Sequence, residues 1–491
     1  MSSIGRSFLL LSFWSMAFAG SPYLSLTNHE IYSLLEYRLL NQSDSTGIFI
    51  LNQPYKDGQI ESLLSEDREF KEYYQGLNYF ANQGTQEGIA LRVCPSLNHY
   101  SDGTDRASYV GSSLDGMIRI SDALFVNEIE LDKKYSYDED FHGDKREWLT
   151  GYFQSSYGIY ENKGVELFAG RVSRNFGSLN DYGLILSNNP YAFDHYGFSA
   201  TGKQFKYSFY TTRLNDMQAV DLQGGLIPLD TVMNSKRFWA IQRLDLKVSE
   251  KLQLAFSEAT VYGGPDQQFV AAYLNPTHFF YAAQRNQGIQ LNSFWQINAF
   301  YKPVTGVGIY VDLFADDLIV NNEPGVDDRA VHPDRLGLML KGSYANKRNT
   351  LQSLRYVGIW NETYTSYRSF ENYTYFKKGM GYPNNSFEGL KYSVSNFSFL
   401  PLFVRGELEV WRQGDRNLAD PFHDELNDFP VGPVSRGYSV GVSVSYLWQH
   451  KYHLQFDYDL VNLPAAWNND ISMDAEYELQ FTAQYYLKQN F

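Results

Sequence analysis

The feature that most constrains this chain is a hydrophobic period of two, sustained over whole strands near its C-terminus. Tyr438, Val440, Val442, Val444, Tyr446 and Trp448 alternate with Gly437, Ser439, Gly441, Ser443 and Ser445. The next run repeats the pattern, with Tyr452, Leu454, Phe456, Tyr458 and Leu460 set between Lys451, His453, Gln455, Asp457 and Asp459. Successive side chains of a strand point to opposite faces, so each run has one apolar and one polar side. From about Glu87 onward this period dominates. Breaks between the runs alternate in length. Short turns fall near Ser121, Asn162, Gly202, Glu250, Pro303, Lys347, Ser398 and Gln449. Long segments fall near residues 100–107, 132–147, 173–191, 214–236, 263–287, 316–333, 362–386, 412–435 and 462–475.

Short turns on one side and long loops on the other, around roughly 18 strands, are the pattern of a bacterial outer-membrane barrel with periplasmic turns and external loops. The last strand, Glu476 to Leu487, puts Tyr477, Leu479, Phe481, Ala483, Tyr485 and Leu487 on one face and is followed by Phe491, which resembles the closing strand of such proteins. A soluble sandwich or propeller has no reason to alternate its loop lengths, and no blade-length repeat is visible. The fold class expected is therefore all-β: a transmembrane antiparallel β-barrel of roughly 18 strands with a small N-terminal helical segment.

The N-terminus fits this reading. Arg6 precedes an apolar run from Phe8 to Phe18, and Ala17-Phe18-Ala19 makes a small-x-small cleavage site, as in a secretory signal peptide. That run is too short to span a bilayer, which takes roughly 20 apolar residues. The best later apolar stretch, Phe269 to Ala283, is interrupted by Asn275, Pro276 and His278. Aromatic residues reach 16% while charged residues are only 20%, a combination that strands lining lipid on one side and water on the other produce. Cys94 is the single cysteine, so no intramolecular disulfide can form. The net charge of −15 argues against nucleic acid as a partner. The organisation expected is a signal peptide over 1–19, a helical segment over 20–85 that lies in the periplasm or plugs the lumen, and the barrel over 86–491. Within the helical segment, Asn28–Leu40, a helix capped by Asp57 and running to Glu66, and one capped by Asp67 and running to Phe80 are read from apolar spacing and caps.

Chemistry-bearing motifs are few. Gly437-Tyr438-Ser439-Val440-Gly441 matches the nucleophile elbow of hydrolases, but that serine must sit on a sharp strand-to-helix turn, and here it falls inside the most regular strand. The acidic segment Asp138, Glu139, Asp140 and Asp144 lacks the ligand spacing and placed glycine of a calcium loop, and the histidines are not spaced for zinc. No enzyme activity, cofactor or metal is expected. The lumen face is more informative: Arg243, Asp245 and Lys247 oppose Leu244 and Leu246; Tyr310 and Asp312 oppose Ile309 and Val311; Arg405, Glu407, Glu409 and Trp411 oppose Val404, Leu408 and Val410. Such a surface either stiffens the barrel through ion pairs or binds sugars. The segment Gly263 to Gly288 carries Phe269, Tyr273, Leu274, Phe279, Phe280 and Tyr281, too apolar for a free external loop, and is expected to fold into the lumen or over its mouth. Strict alternation from Leu252 points Glu258 at lipid, which is costly; a bulge that resets the phase or a position above the hydrocarbon would relieve this.

Three blocks carry a family resemblance: Gln242-Arg243-Leu244-Asp245, Glu258-Ala259-Thr260-Val261-Tyr262-Gly263-Gly264, and Tyr273-Leu274-Asn275-Pro276 followed by Phe279-Phe280-Tyr281-Ala282-Ala283-Gln284-Arg285-Asn286. Together they resemble the central signature of the Wzi-type capsule assembly proteins. Gly170-Arg171, Phe176-Gly177 and Leu184-Ile185-Leu186-Ser187 are similar to a second family segment, with Phe176 where Trp is expected. The resemblance implies an 18-stranded outer-membrane barrel preceded by helices, a lectin that helps attach or assemble surface or capsular polysaccharide. The family's best-known member ends in a helix, whereas this chain ends on the strand. Expected partners are outer-membrane lipid and the polysaccharide, with the chain acting as a monomer. The candidate glycan contacts are Arg171, Arg243, Asp245, Glu258, Tyr281, Tyr310, Asp312, Arg405, Glu407 and Trp411. The alternative is a porin or polysaccharide-export channel, separated from the lectin by whether the helices and the inward loop close the lumen.

Overall fold

A computed structural model describes residues 21–42, 47–78, 87–101, 106–146, 150–218, 234–264, 266–275, 278–282, 291–317, 335–418, 420, 422, 428–449, 452–464, 471–483 and 485–490. The signal-peptide residues 1–19, the block Gln284-Arg285-Asn286 and Phe491 lie outside them. The wall consists of strands β1 (Gly88–Ser101), β2 (Arg106–Ile120), β3 (Ala123–Asp132), β4 (Thr150–Asn162), β5 (Val165–Arg171) and β6 (Asp194–Thr201). It continues through β7 (Phe205–Arg213), β8 (Asn234–Ser249), β9 (Leu252–Gly264), β10 (Leu291–Tyr301), β11 (Val307–Asp317) and β12 (Arg335–Asn346). It ends with β13 (Thr350–Ile359), β14 (Phe387–Phe399), β15 (Leu402–Gln413), β16 (Ser435–Trp448), β17 (Tyr452–Pro464) and β18, which runs as Ile471–Ala483 and Tyr485–Asn490. Each strand pairs antiparallel with the next. Both segments of β18 return to β1, with Ser96 opposite Thr482 and Gly88 opposite Asn490. The result is a closed 18-strand barrel. Closure is what lipid demands, because an open edge would leave backbone groups unpaired in hydrocarbon.

The short connections are tight hairpins. At Lys163-Gly164 both residues have positive φ (49° and 79°), the mirror-image turn whose twist suits a two-residue hairpin. A Cβ on Gly164 would stand 2.6 Å from the carbonyl oxygen of Thr201. One connection expected to be long is not: β1 runs to Ser101 and β2 begins at Arg106, because the alternation there continues almost to the turn.

Exposed apolar residues line the outside of the wall, among them Leu244, Leu246, Leu313, Leu408 and Val442. Their neighbours Arg243, Asp245, Asp312 and Arg405 are buried toward the lumen. The pleat is therefore as the alternation predicted. A ring of this size leaves space that its own inward side chains cannot fill. Among the described residues, three segments occupy it. The first is N-terminal: α1 (His29–Asn41), with Asn28 Oδ1 accepting from Ile31 N at 3.1 Å; α2 (Asp57–Leu64); and α3 (Arg68–Leu77), capped by Asp67. Lys56, not Asp57, holds the cap position of α2, because Asp57 is needed inside, where it accepts from Tyr74 Oη at 2.6 Å and Asn78 Nδ2 at 2.7 Å. The helices α2 and α3 are also shorter than expected. The second filler is the segment after β5, with Phe176, Leu184, Ile185 and Leu186 fully buried, and the third is the segment after β13, with Tyr364, Tyr373 and Met380. The last two meet backbone to backbone: a Cβ on Gly381 would stand 2.1 Å from the Leu184 carbonyl oxygen.

Wall charges serve as sockets for these fillers. Arg243 donates to Asp245, to Asn298 Oδ1 at 2.7 Å and to the Leu51 carbonyl at 3.1 Å, and Asn52 Nδ2 donates to Asp245 at 2.7 Å. Lys341 pairs with Glu36 of α1 at 3.2 Å and with Asp181 at 3.0 Å. Higher up, Asp312 accepts from Leu184 N at 3.1 Å, and Arg335 Nη1 donates to the Thr365 carbonyl at 2.6 Å. Removing one partner of such a buried pair strands the other and costs about 3–5 kcal/mol.

The segment after β9 goes elsewhere than expected. It lies neither in the lumen nor over its mouth, but against the outside of the wall. Its Tyr273 and Phe280 pack with Phe209, Phe238, Tyr262 and Leu291, outward-facing residues of β7 to β10. The reason is Glu258. The register shift lies below it, between Leu252 and Gln253, and the phase then runs unbroken, so Glu258 does face outward. It is nevertheless fully buried. It accepts from Gln242 Nε2 at 2.7 Å and from Tyr281 N at 3.2 Å, while Gln242 also donates to the His278 carbonyl at 3.0 Å.

Two outcomes check this architecture. Val442→Arg puts a cation on the lipid face and should destabilise the barrel by about 2–4 kcal/mol if near the midplane, whereas Ser443→Arg faces the lumen and should be much milder; folding titrations in liposomes that give equal losses would mean the pleat is wrong. In intact cells, cysteines at Asp140 and Asp420 should react with an impermeant maleimide, and cysteines at Asn162 and Gln449 should not. The reverse labelling would invert the topology.

Candidate functional site

The fillers do not sit centrally. They tie mainly to β5–β15, and a cavity of about 720 Å³ remains along the opposite wall. Its lining comes from β1–β4 and β13–β18, from the N-terminal segment at Thr27 to Glu30, and from the segment after β5 at Asn180 to Tyr182. On β17 four successive inward positions, His453, Gln455, Asp457 and Asp459, all face it. At ~3.4 Å per residue this is roughly 20 Å along the strand. The cavity is thus elongated, and its volume falls within the roughly 300–1,000 Å³ of small-ligand clefts.

Charge is divided around it. One arc, on β3 and β17, presents Glu128, Glu130, Asp132, Asp457 and Asp459, with the Arg92–Asp115 pair of β1 and β2 between them; the other, on β13–β15, presents Arg355, Lys391 and Arg405. The basic arc is clamped by carboxylates. Lys391 pairs with Glu407 at 2.8 Å, Arg405 pairs with the same carboxylate and donates to Ser33 Oγ at 2.9 Å, and Arg355 reaches Asp181 at 3.2 Å. Burial would raise the Asp181 carboxyl, but Lys341 and Arg355 beside it hold it well below the ordinary range. It therefore stays a fixed anion at the cavity edge. Tyr182 adds an aromatic face, set edge-on to Tyr382 with ring centroids 6.1 Å apart. Gly441 leaves room for the Asp459 carboxylate, since a Cβ there would lie 2.6 Å from its Oδ1. Forked polar groups beside an aromatic face are the equipment for holding a polyhydroxylated ligand.

The residues singled out from sequence are dispersed. Arg405 and Glu407 line the cavity. Arg243, Asp245 and Asp312 are sockets for the fillers, as described above. Tyr310 is buried against Phe300 with ring centroids 4.8 Å apart, beneath α1. Trp411 packs on the upper core beside Phe387. Arg171 ends β5 and forms a two-pronged pair with Asp194, both contacts at 3.1 Å. Glu258 and Tyr281 belong to the outer wall, with the Tyr281 ring against Trp295. Sequence reasoning missed Asp181 and Tyr182, although both fall between Phe176-Gly177 and Leu184 in the second resembling segment. It also missed the inward row of β17, whose period-two signal was read only for fold. Ser439 of the elbow-like motif lies in mid-strand, paired with Glu409 on one side and Val461 on the other.

Comparison with known proteins agrees with this architecture. The family model for the capsule assembly protein Wzi matches residues 65–349. The solved structure of Wzi from Escherichia coli, described as an outer-membrane protein of group 1 capsule assembly and a carbohydrate-binding β-barrel, superposes with a TM-score of 0.62 at 12% identity, over 94% of this chain and 99% of that one. Among porins, OccD3 of Pseudomonas aeruginosa superposes at 0.47 with 11% identity, over 82% of this chain and 92% of that one. OccAB4 of Acinetobacter baumannii superposes at 0.46 with 10% identity, over 82% and 99%. Comparison by sequence with curated proteins finds no match. With more than half its length matched by the family model, the chain belongs to the Wzi capsule assembly family and is an outer-membrane β-barrel.

Proposed function

We propose that this protein is an outer-membrane lectin that helps hold or assemble capsular or other surface polysaccharide at the cell surface, acting as a monomer and without catalysing a reaction. The observation that carries this reading is the elongated polar cavity set beside a lumen otherwise filled and bolted to its wall. A diffusion pore gains nothing from three inserted segments tied by buried ion pairs. A binding site gains rigidity, because groups held in place lose little entropy when a ligand arrives. Arg405, Glu407, Tyr182 and Asp457 are the contacts best placed, the carboxylates as acceptors for hydroxyl groups, the arginine as the cation that fixes Glu407 at the cavity edge, and the tyrosine as a stacking face. The family membership and the carbohydrate binding described for the E. coli structure support the same class of ligand. The acidic arc and the net charge of −15 oppose a densely anionic polymer, so stacking and hydrogen bonding supply the affinity.

Purified protein should bind fragments of the source cell's surface polysaccharide in calorimetric titration, and Arg405→Ala together with Tyr182→Ala should weaken binding by about tenfold or more, of the order expected for a lost charge-assisted hydrogen bond. Unchanged affinity would remove the cavity from the site. In planar bilayers the wild-type protein should show little conductance. Arg243→Ala, which frees the Leu51 carbonyl from the wall and strands Asp245, should produce irregular openings. Steady porin-like conductance by the wild type, with no glycan bound, would replace the lectin reading with a transport one.

A further inference from the structure

The outer wall at β8–β9 is too polar, too low, for the membrane it stands in. On β2 the outward row runs from Val110 to Ile120, with Val110, Leu114, Ile118 and Ile120 all exposed. That matches the roughly 9–11 tilted residues a spanning strand needs. On β9 the exposed apolar row is only Leu254 and Phe256, and the next outward residue is Glu258; on β8 the row ends at Leu244, and the next outward residue is Gln242. Bare, this sector would offer a carboxylate and an amide to hydrocarbon well below the height of the belt elsewhere, a costly arrangement.

The segment after β9 covers that defect. Its inner side satisfies Glu258 and Gln242, as described above. Its outer side shows Phe279, Leu274, Tyr281 and Phe269, with Phe279 66% and Leu274 41% exposed, and Asp266, Gln268 and Asn275 are exposed beside them. Backbone beside lipid cannot leave its polar groups unpaired, and four of the segment's N–H groups are met by tight turns within it. Tyr273 N donates to the Val270 carbonyl at 3.0 Å, Asn275 N to Ala272 at 3.1 Å, His278 N to Asn275 at 3.0 Å and Ala282 N to Phe279 at 3.1 Å. We propose that the described residues 269–274 and 278–282 form a cover that completes the upper edge of the hydrophobic belt, that the outer face of Phe269, Leu274, Phe279 and Tyr281 meets the acyl chains of the outer leaflet, and that Asp266, Gln268 and Asn275 lie at its polar rim. Continuity decides the occupant: the exposed patch rises directly from the lipid-facing row of Leu244, Leu254, Phe256 and Ile297. The signature blocks around Glu258 and Phe279 are then spent on the outer wall and not on the lumen.

Spin labels at Phe279→Cys and Leu274→Cys, in a Cys94→Ser background reconstituted in phosphatidylcholine liposomes, test this by collision accessibility. Both should be open to oxygen and shielded from a water-soluble nickel chelate, like a label at Leu313→Cys in the belt. Nickel accessibility equal to a label at Asp140→Cys in an external loop would overturn the proposal by placing the cover in water. Shielding from both reagents would overturn it by placing protein against the patch. Because both sites are exposed and make no hydrogen bond through their side chains, the labels leave the fold in place.

Discussion

The structure depends on one mismatch: a closed ring of eighteen strands encloses more volume than its own inward side chains occupy. Lipid forces the ring to close, and closure creates a lumen that must be filled by water or by chain. Here most of it is filled by chain, and the wall's buried charges decide where. Arg243 and Lys341 are expensive to bury alone. Each is offset by a carboxylate and by carbonyl oxygens of an inserted segment. Arg243 takes Asp245 and the Leu51 carbonyl; Lys341 takes Glu36, Asp181 and the Leu179 carbonyl at 2.6 Å. Because these sockets tie the fillers toward one side, space is left on the other, and that remainder is the cavity.

The same reasoning, turned outward, explains the segment after β9. Polar groups on the wrong side of the wall need cover as much as charges in the lumen do. Gln242 and Glu258 obtain theirs from a loop that supplies backbone donors and acceptors beneath and aromatic rings above. The barrel is thus lined by chain on both faces of β8–β9. One signature block contains residues serving each side: Arg243 and Asp245 hold the interior, Gln242 the exterior.

Much of the fold was legible because a membrane barrel writes itself into sequence twice, once in the alternation and once in loop lengths. Val442 and Ser443, or Leu244 and Arg243, fall on the faces that period two assigns. The cap of α3 at Asp67 follows from local chemistry, whereas Asn28, expected as the first residue of α1, is its cap. What misled was locality. Asp57 looks like a cap, but Tyr74 and Asn78 claim its carboxylate from another helix. The apolar loop after β9 needs burial, and sequence alone does not distinguish burial in the lumen from burial against the outer wall. The site was less legible for a similar reason. Alternation shows that Tyr310, Asp312 and Arg405 all face the lumen, but not which of them the fillers cover. Only the placement of α1 and of residues 172–193 separates Arg405, which borders the cavity while held by Glu407 and Ser33, from Arg243, which is sealed.

The central claim is that this barrel retains polysaccharide made elsewhere, and neither makes nor exports it. Deletion of the gene in its source bacterium, with polymer measured separately in cells and in medium, tests that claim most directly. Total polymer should stay unchanged while the cell-bound share falls and the released share rises, and the wild-type protein should restore the balance. Loss of total polymer, or its accumulation inside the cell, would contradict the account.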